Sequence, residues 1–178
     1  MNRQQIRRAK SAIIALLYDA LGDGYKLGRR GNGDPPLWDC RGLAEGVYIR
    51  AGVGEAMGGQ HVNVRAEVRW AKAYGRLRGP EVKPAPCWWI IYNEPAKVGE
   101  PGNPDAIRHV AVVVEAPSEE HPEGLAISAF NPKRGVIEHG LEIKGYAIYG
   151  YVKPAFKLVG ANDVPIVDPE PPIGEPNA

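Results

Sequence analysis

Residues 35–52 read PPLWDCRGLAEGVYIRAG. Pro35 and Pro36 disfavour helix at the start of this stretch. Asp39 is a residue type that caps helix N-termini, because its side chain accepts from free backbone amides. Beyond it, Leu43, Val47 and Ala51 recur on one helical face, and Ala44 and Tyr48 share another. The spacing predicts a helix from Cys40 to Ala51, closed by Gly52 and Gly54. Cys40 then stands in the first turn, where the helix dipole favours a thiolate.

Working outward, residues 22–38 (GDGYKLGRRGNGDPPLW) read as a Gly- and Pro-rich loop. Before it, Ile6, Ala9, Ile13, Leu16, Leu17, Ala20 and Leu21 recur at steps of three and four, predicting a helix over 3–21. Arg3, Arg7 and Arg8 fall on its wetted face. Downstream, residues 64–74 suit a helix with Arg65, Arg69 and Lys72 in solvent. CWWIIY (87–92), bounded by Pro84, Pro86 and Pro95, has the signature of a buried strand. Residues 93–106 read as a loop. HVAVVVEA (109–116) is a second buried strand, and LAISAF (125–130) pairs with it as a hairpin. GVIEHGLEI (135–143) and GYAIYGYV (145–152) follow as strands. Helices first and antiparallel strands after them define an α+β class, with one sheet face packed on the helices. We expect a single domain over residues 1–160. Residues 161–178, rich in proline and acids, form an extended tail.

Composition excludes several classes. The chain has 178 residues, enough for one domain with a full core. Twenty-two basic and 21 acidic side chains give a formal net charge of +1, without the basic excess of a general nucleic-acid binder. Two cysteines exclude a disulfide scaffold. The apolar run Ala12–Tyr18 is too short for a membrane span, which needs about 20 residues. No small-residue cleavage site follows it, so the reading is cytoplasmic synthesis without a cleaved signal.

A thiol nucleophile must lose its proton, reach a base and meet substrate. Cys40 is the candidate; the competing reading is an inert buried cysteine, which Cys87 fits better. Four histidines could serve as base. His61 in a Gly-rich loop and His121 in a polar turn read as ordinary exposed residues, and His139, after Glu138 near a hairpin end, reads as unremarkable too. His109 opens an otherwise apolar strand, so it is either a strand-end residue in water or a site residue. A third group should orient it. Asn131, at the end of the partner strand, is the first candidate, although Asn before Pro132 is also common in turns. Ser128 is the second.

These residues resemble a known family. Tyr25, Gly28, Asp39, Cys40, Gly42 and Leu43 match the Tyr-x-x-Gly loop and Asp-Cys-Ser-Gly-Leu helix start of the NlpC cell-wall cysteine peptidases. RHVAVVVEA is similar to the second motif of that family and of the related CHAP amidases, a His opening a strand. The resemblance covers roughly residues 12–155, in order. It implies a papain-like fold and amide cleavage in bacterial peptidoglycan, with Cys40 as nucleophile, His109 as base and Asn131 as orienting residue. Tyr25, Asp39, Arg41 and Ser128 would line the substrate site. It implies no cofactor, and no H-E-x-x-H or paired-Cys metal spacing is present.

Two departures from the pattern stand out. Arg41 replaces the motif Ser, and a cation there repels an ammonium and favours a carboxylate. The CHAP Glu position falls on Ala129. With a single domain and no evident wall-binding repeat, the resemblance implies a wall hydrolase of the kind used in phage lysis or carried on a virion, whereas the two departures motivate an inactive relative. The alternatives are an inactive papain-fold binding module, or an acyltransferase or isopeptidase on the same fold.

Overall fold

The computed structural model describes residues 1–59, 63–93 and 107–156. His61, most of the 93–106 loop and the 161–178 tail lie outside the described residues.

Helix α1 (Arg3–Asp19) starts with a capping box. Asn2 Oδ1 accepts from the Gln5 amide at 2.8 Å, and Gln5 Oε1 accepts from the Asn2 amide at 2.7 Å. Ala9, Ile13 and Leu17 bury its periodic face. Helix α2 (Cys40–Arg50) is the centre of the helical layer. Every residue from Gly42 to Tyr48 is buried, so both its flanks are covered. That requires small residues at close approaches. A Cβ at Gly46 would stand 2.8 Å from the Trp38 ring, and one at Gly42 would collide with the Arg29 carbonyl. A short 3-10 turn (Gly54–Met57) and helix α3 (Val64–Ala73) complete the layer.

The predicted loop 22–38 is more ordered than its composition suggests. It contains strands β1 (Gly24–Tyr25), β2 (Arg30–Asn32) and β3 (Leu37–Trp38), joined in the order β1-β3-β2. These strands have no internal periodicity. They are held by Trp38, whose indole N–H donates to Asp23 at 2.8 Å, and by the Asp23 carbonyl, which accepts from Val136 at 2.9 Å.

The main sheet comprises β4 (Leu77–Arg78), β5 (Trp89–Asn93), β6 (Ile107–Glu115), β7 (Leu125–Asn131), β8 (Gly135–His139) and β9 (Ala147–Val152). Its order is β4-β9-β5-β6-β7-β8, antiparallel throughout. The last strand thus inserts between β4 and β5. Alternation sorts the side chains by face. Trp89, Ile91, Val110, Val112, Ile127 and Ala129 pack on the helices. Ile90, Tyr92, Ala111, Val113 and Ala126 face the other way, beneath Leu141 and Tyr151. The fold class is the expected α+β class, with the correction that both sheet faces are covered.

Candidate active site

Asp39 builds the start of α2. Its Oδ1 accepts from the Gly42 amide and its Oδ2 from the Gly28 amide, both at 2.6 Å. The cap therefore also ties the Tyr-x-x-Gly loop to the helix. Both carboxylate oxygens are engaged by backbone, and Asp39 is buried.

Cys40 follows, partly exposed. The amides of Val110, Arg41 and Cys40 itself point at its sulfur and favour the thiolate. Burial is the larger effect and pushes the thiol above its ordinary value, with Asp39 adding to the rise. The helix start thus offsets the desolvation only in part. The contact with Val110 sets the thiol against the residue that follows His109.

His109 does not open its strand as the sequence suggested: β6 begins at Ile107, and His109 is its third residue, opposite Tyr92. Its ring lies 5.7 Å from Tyr92, 5.5 Å from Phe130 and 6.0 Å from Tyr146. Within these aromatic walls burial, with a smaller contribution from His139, lowers its pKa to about 3. Tyr25, half-buried on β1, connects the two halves of the site. Burial raises its phenol, with further contributions from Cys40, Asp39 and Tyr146.

The partner of His109 is Ser128. Its Oγ lies 3.0 Å from His109 Nε2 and 2.9 Å from His139 Nε2. His139 Nδ1 lies 2.7 Å from the Gly140 carbonyl. Asn131 is placed elsewhere: its Oδ1 accepts from the amides of Lys133 and Arg134, both at 3.0 Å, and closes the β7–β8 turn. The structure therefore groups Tyr25, Asp39 and Cys40 at the start of α2, sets the thiol on the Val110 amide next to His109 in the chain, pairs His109 with Ser128, and engages Asn131 in a turn. His139, Tyr92, Phe130 and Tyr146 complete the surroundings of His109, and sequence reasoning did not single them out. The hairpin register carried a signal for His139. Ser128 pairs with Ile137 and Ala126 with His139, so His139 is a diagonal neighbour of Ser128.

Arg41 is held by Glu45, with Nη1 3.1 Å from Oε1. Arg30 approaches the other carboxylate oxygen at 3.4 Å. Two guanidinium groups thus share one buried carboxylate. Among the described residues no three His, Cys, Asp or Glu side chains converge as a metal-binding group, and no helix is long and apolar enough to cross a membrane.

A buried helix presenting a cysteine to an antiparallel sheet that carries a histidine defines the papain-like α+β fold of NlpC/p60 domains. Solved structures share it. NlpC2 from Trichomonas vaginalis matches with a TM-score of 0.60 at 19% identity, over 84% of this chain and 48% of that one. The NlpC/p60 domain of the peptidoglycan hydrolase SagA matches at 0.52 and 21% identity, over 81% of this chain and 97% of that one. The peptidoglycan hydrolase RipB from Mycobacterium tuberculosis matches at 0.53 and 18%, over 86% and 68%. The chain covers 48% and 44% of the lengths of NlpC2 and NlpC1 from Trichomonas vaginalis. No protein-family model and no curated protein sequence matches the chain.

Proposed function

We propose that this protein is a peptidoglycan hydrolase that cleaves an amide bond, in a stem peptide or at the N-acetylmuramoyl linkage, with Cys40 as nucleophile and His109 as base. The observation that carries the reading is the Cys40 thiol on the Val110 amide, one residue along β6 from His109, whose Nε2 lies 3.0 Å from Ser128 Oγ. Two structures of the same fold are named peptidoglycan hydrolases, which supports the choice of substrate.

In the free protein the thiol and the imidazole are both neutral, since burial disfavours both charges. The thiol proton therefore passes to His109 Nδ1 as sulfur attacks the amide carbonyl. The Cys40 amide at the helix start is the natural donor to the tetrahedral oxyanion. The imidazolium then protonates the leaving amine, which departs as the C–N bond breaks. Neutral His109 next takes a proton from water, and hydroxide addition releases the acid and restores the thiol. A cation at Arg41, next to Cys40, suits a stem-peptide carboxylate better than a free amine.

Purified peptidoglycan from several wall types, digested by the wild type and by Cys40→Ala, tests the reading, with released fragments weighed by mass spectrometry. Release by the wild type alone upholds it, and the fragment masses name the bond. Retention on the wall with no release by either protein overturns it in favour of an inactive binding module.

A further inference from the structure

We propose that His139 is a positioning residue for this reaction, acting through the Ser128 hydroxyl to hold His109 in the tautomer that leaves Nδ1 free as the base. The inference rests on the thiol-hydrolase reading of Cys40 and His109.

Counting protons along the chain of contacts carries the argument. The Gly140 carbonyl can only accept, so the single ring proton of neutral His139 lies on Nδ1, 2.7 Å away. His139 Nε2 is then a bare lone pair. Ser128 has one hydroxyl proton, and it is drawn to that lone pair at 2.9 Å. Its oxygen is left to accept from His109 Nε2 at 3.0 Å, which puts the His109 proton on Nε2. His109 Nδ1 is thereby unprotonated. Each step has one solution, and the direction is set from a backbone carbonyl inward. Ser128 is fully buried, so bulk water does not replace either partner.

Removing His139 frees the serine hydroxyl to donate to His109 Nε2. The ring proton then moves to Nδ1, where a base for the thiol is needed. Protonating His139 has the same consequence, because its Nε2–H would donate to Ser128 and reverse the serine. The acid limb of activity therefore belongs to His139. Burial lowers the His139 pKa, while the Gly140 backbone and Glu138 on its own strand raise it; His109 faces it across the serine, and Tyr18 of α1 is hydrogen-bonded to Glu138. The Phe130 ring packs 6.1 Å from His139 and carries Arg134 above it at 5.4 Å.

The test combines imidazole nitrogen NMR with wall digestion across pH, on the wild type, His139→Ala, His139→Gln and Ser128→Ala. In the wild type at neutral pH we expect His109 protonated on Nε2 and His139 on Nδ1. His139→Ala should move the His109 proton to Nδ1 and lower kcat roughly 100-fold, with KM little changed. Glutamine can accept from the serine, so His139→Gln should recover most of kcat and lose the acid limb. Ser128→Ala should shift the His109 tautomer with His139 still present. A wild-type His109 protonated on Nδ1 overturns the proposal. So does a His139→Ala protein with unchanged tautomer and pH profile. If His139→Ala does not fold, His139→Gln and Ser128→Ala make the same comparison. If the wild type digests no wall, the hydrolase reading falls, while the nitrogen shifts still decide the relay.

Discussion

Asp39 holds Gly28 through a 2.6 Å hydrogen bond from the Gly28 amide to Oδ2, eleven residues back along the chain, while its Oδ1 caps α2 at Gly42. One side chain thus sets both the entry of α2 and the loop that carries Tyr25. Asp39→Ala removes two charge-assisted bonds and should cost about 2–3 kcal/mol of stability. Asp39→Asn keeps the cap but turns an amide donor toward one backbone N–H, and should recover about half of that loss. Urea unfolding of both variants measures the difference.

Gly42→Ala should be more damaging than a helix-propensity argument allows. Alanine is the better helix former, by about 1 kcal/mol. Here its Cβ would collide with the Arg29 carbonyl, which itself accepts from the Asp39 amide at 2.9 Å. We expect net destabilisation of about 2 kcal/mol or more, read as a lower thermal midpoint, together with loss of wall digestion.

The two thiols should differ in kind. Burial pushes the Cys87 thiol up to about 11, and its sulfur rests on the Lys10 carbonyl at 3.6 Å. Cys40 is also raised, yet it keeps partial exposure and three amides on its sulfur. Iodoacetamide should therefore modify Cys40 first. Its rate should keep climbing beyond about pH 8, without the low-pH plateau of a thiolate–imidazolium pair. Peptide mass mapping of alkylation against pH checks both statements. A plateau at acid pH would show that the ion pair already exists in the free protein.

Acid should weaken the fold through the buried histidines. His109 is held neutral, its pKa lowered to about 3 by burial and by His139, and His139 is lowered mainly by burial. Below the ordinary histidine value of about 6.5 the unfolded chain takes up protons that the folded one refuses. Stability is then full above that value and falls as pH drops, by up to roughly 1.4 kcal/mol per pH unit for His109 until its folded value is reached. His109→Gln should flatten the slope between about pH 6.5 and 4.5, above the range where carboxylates dominate. Urea midpoints across that range measure it.

Arg41→Ser should change substrate preference more than rate. Arg41 and Arg30 share Glu45, so removing one guanidinium leaves a balanced pair. We expect stem peptides with a free amine to gain about tenfold in kcat/KM relative to those offering a carboxylate, an effect of about 1.4 kcal/mol and consistent with a partly screened charge. Competition between two synthetic stem peptides reads it directly.

Local rules were enough to place α2, with Asp39 as its cap and Cys40 in its first turn, because capping and 3.6-residue periodicity act within a few residues. The same holds for the buried runs that became β5 and β6, and for His109 near the start of the latter. The structure corrected what depends on distant partners. Strands β1 to β3 lie in a loop whose sequence has no periodicity, since each is only two or three residues long and is held by Trp38, Asp23 and Val136. Asn131 and Ser128 were both reasonable partners for His109 in sequence. Only cross-strand register decides between them: a strand's side chains alternate, and pairing with β6 and β8 places Ser128 between two imidazoles while Asn131 bonds its own turn. The sequence by itself determined helix α2, the place of Cys40 in its first turn and the class of fold. Tertiary structure alone decided what stands behind His109, because hydrogen bonds across a sheet depend on register between strands that no local pattern records.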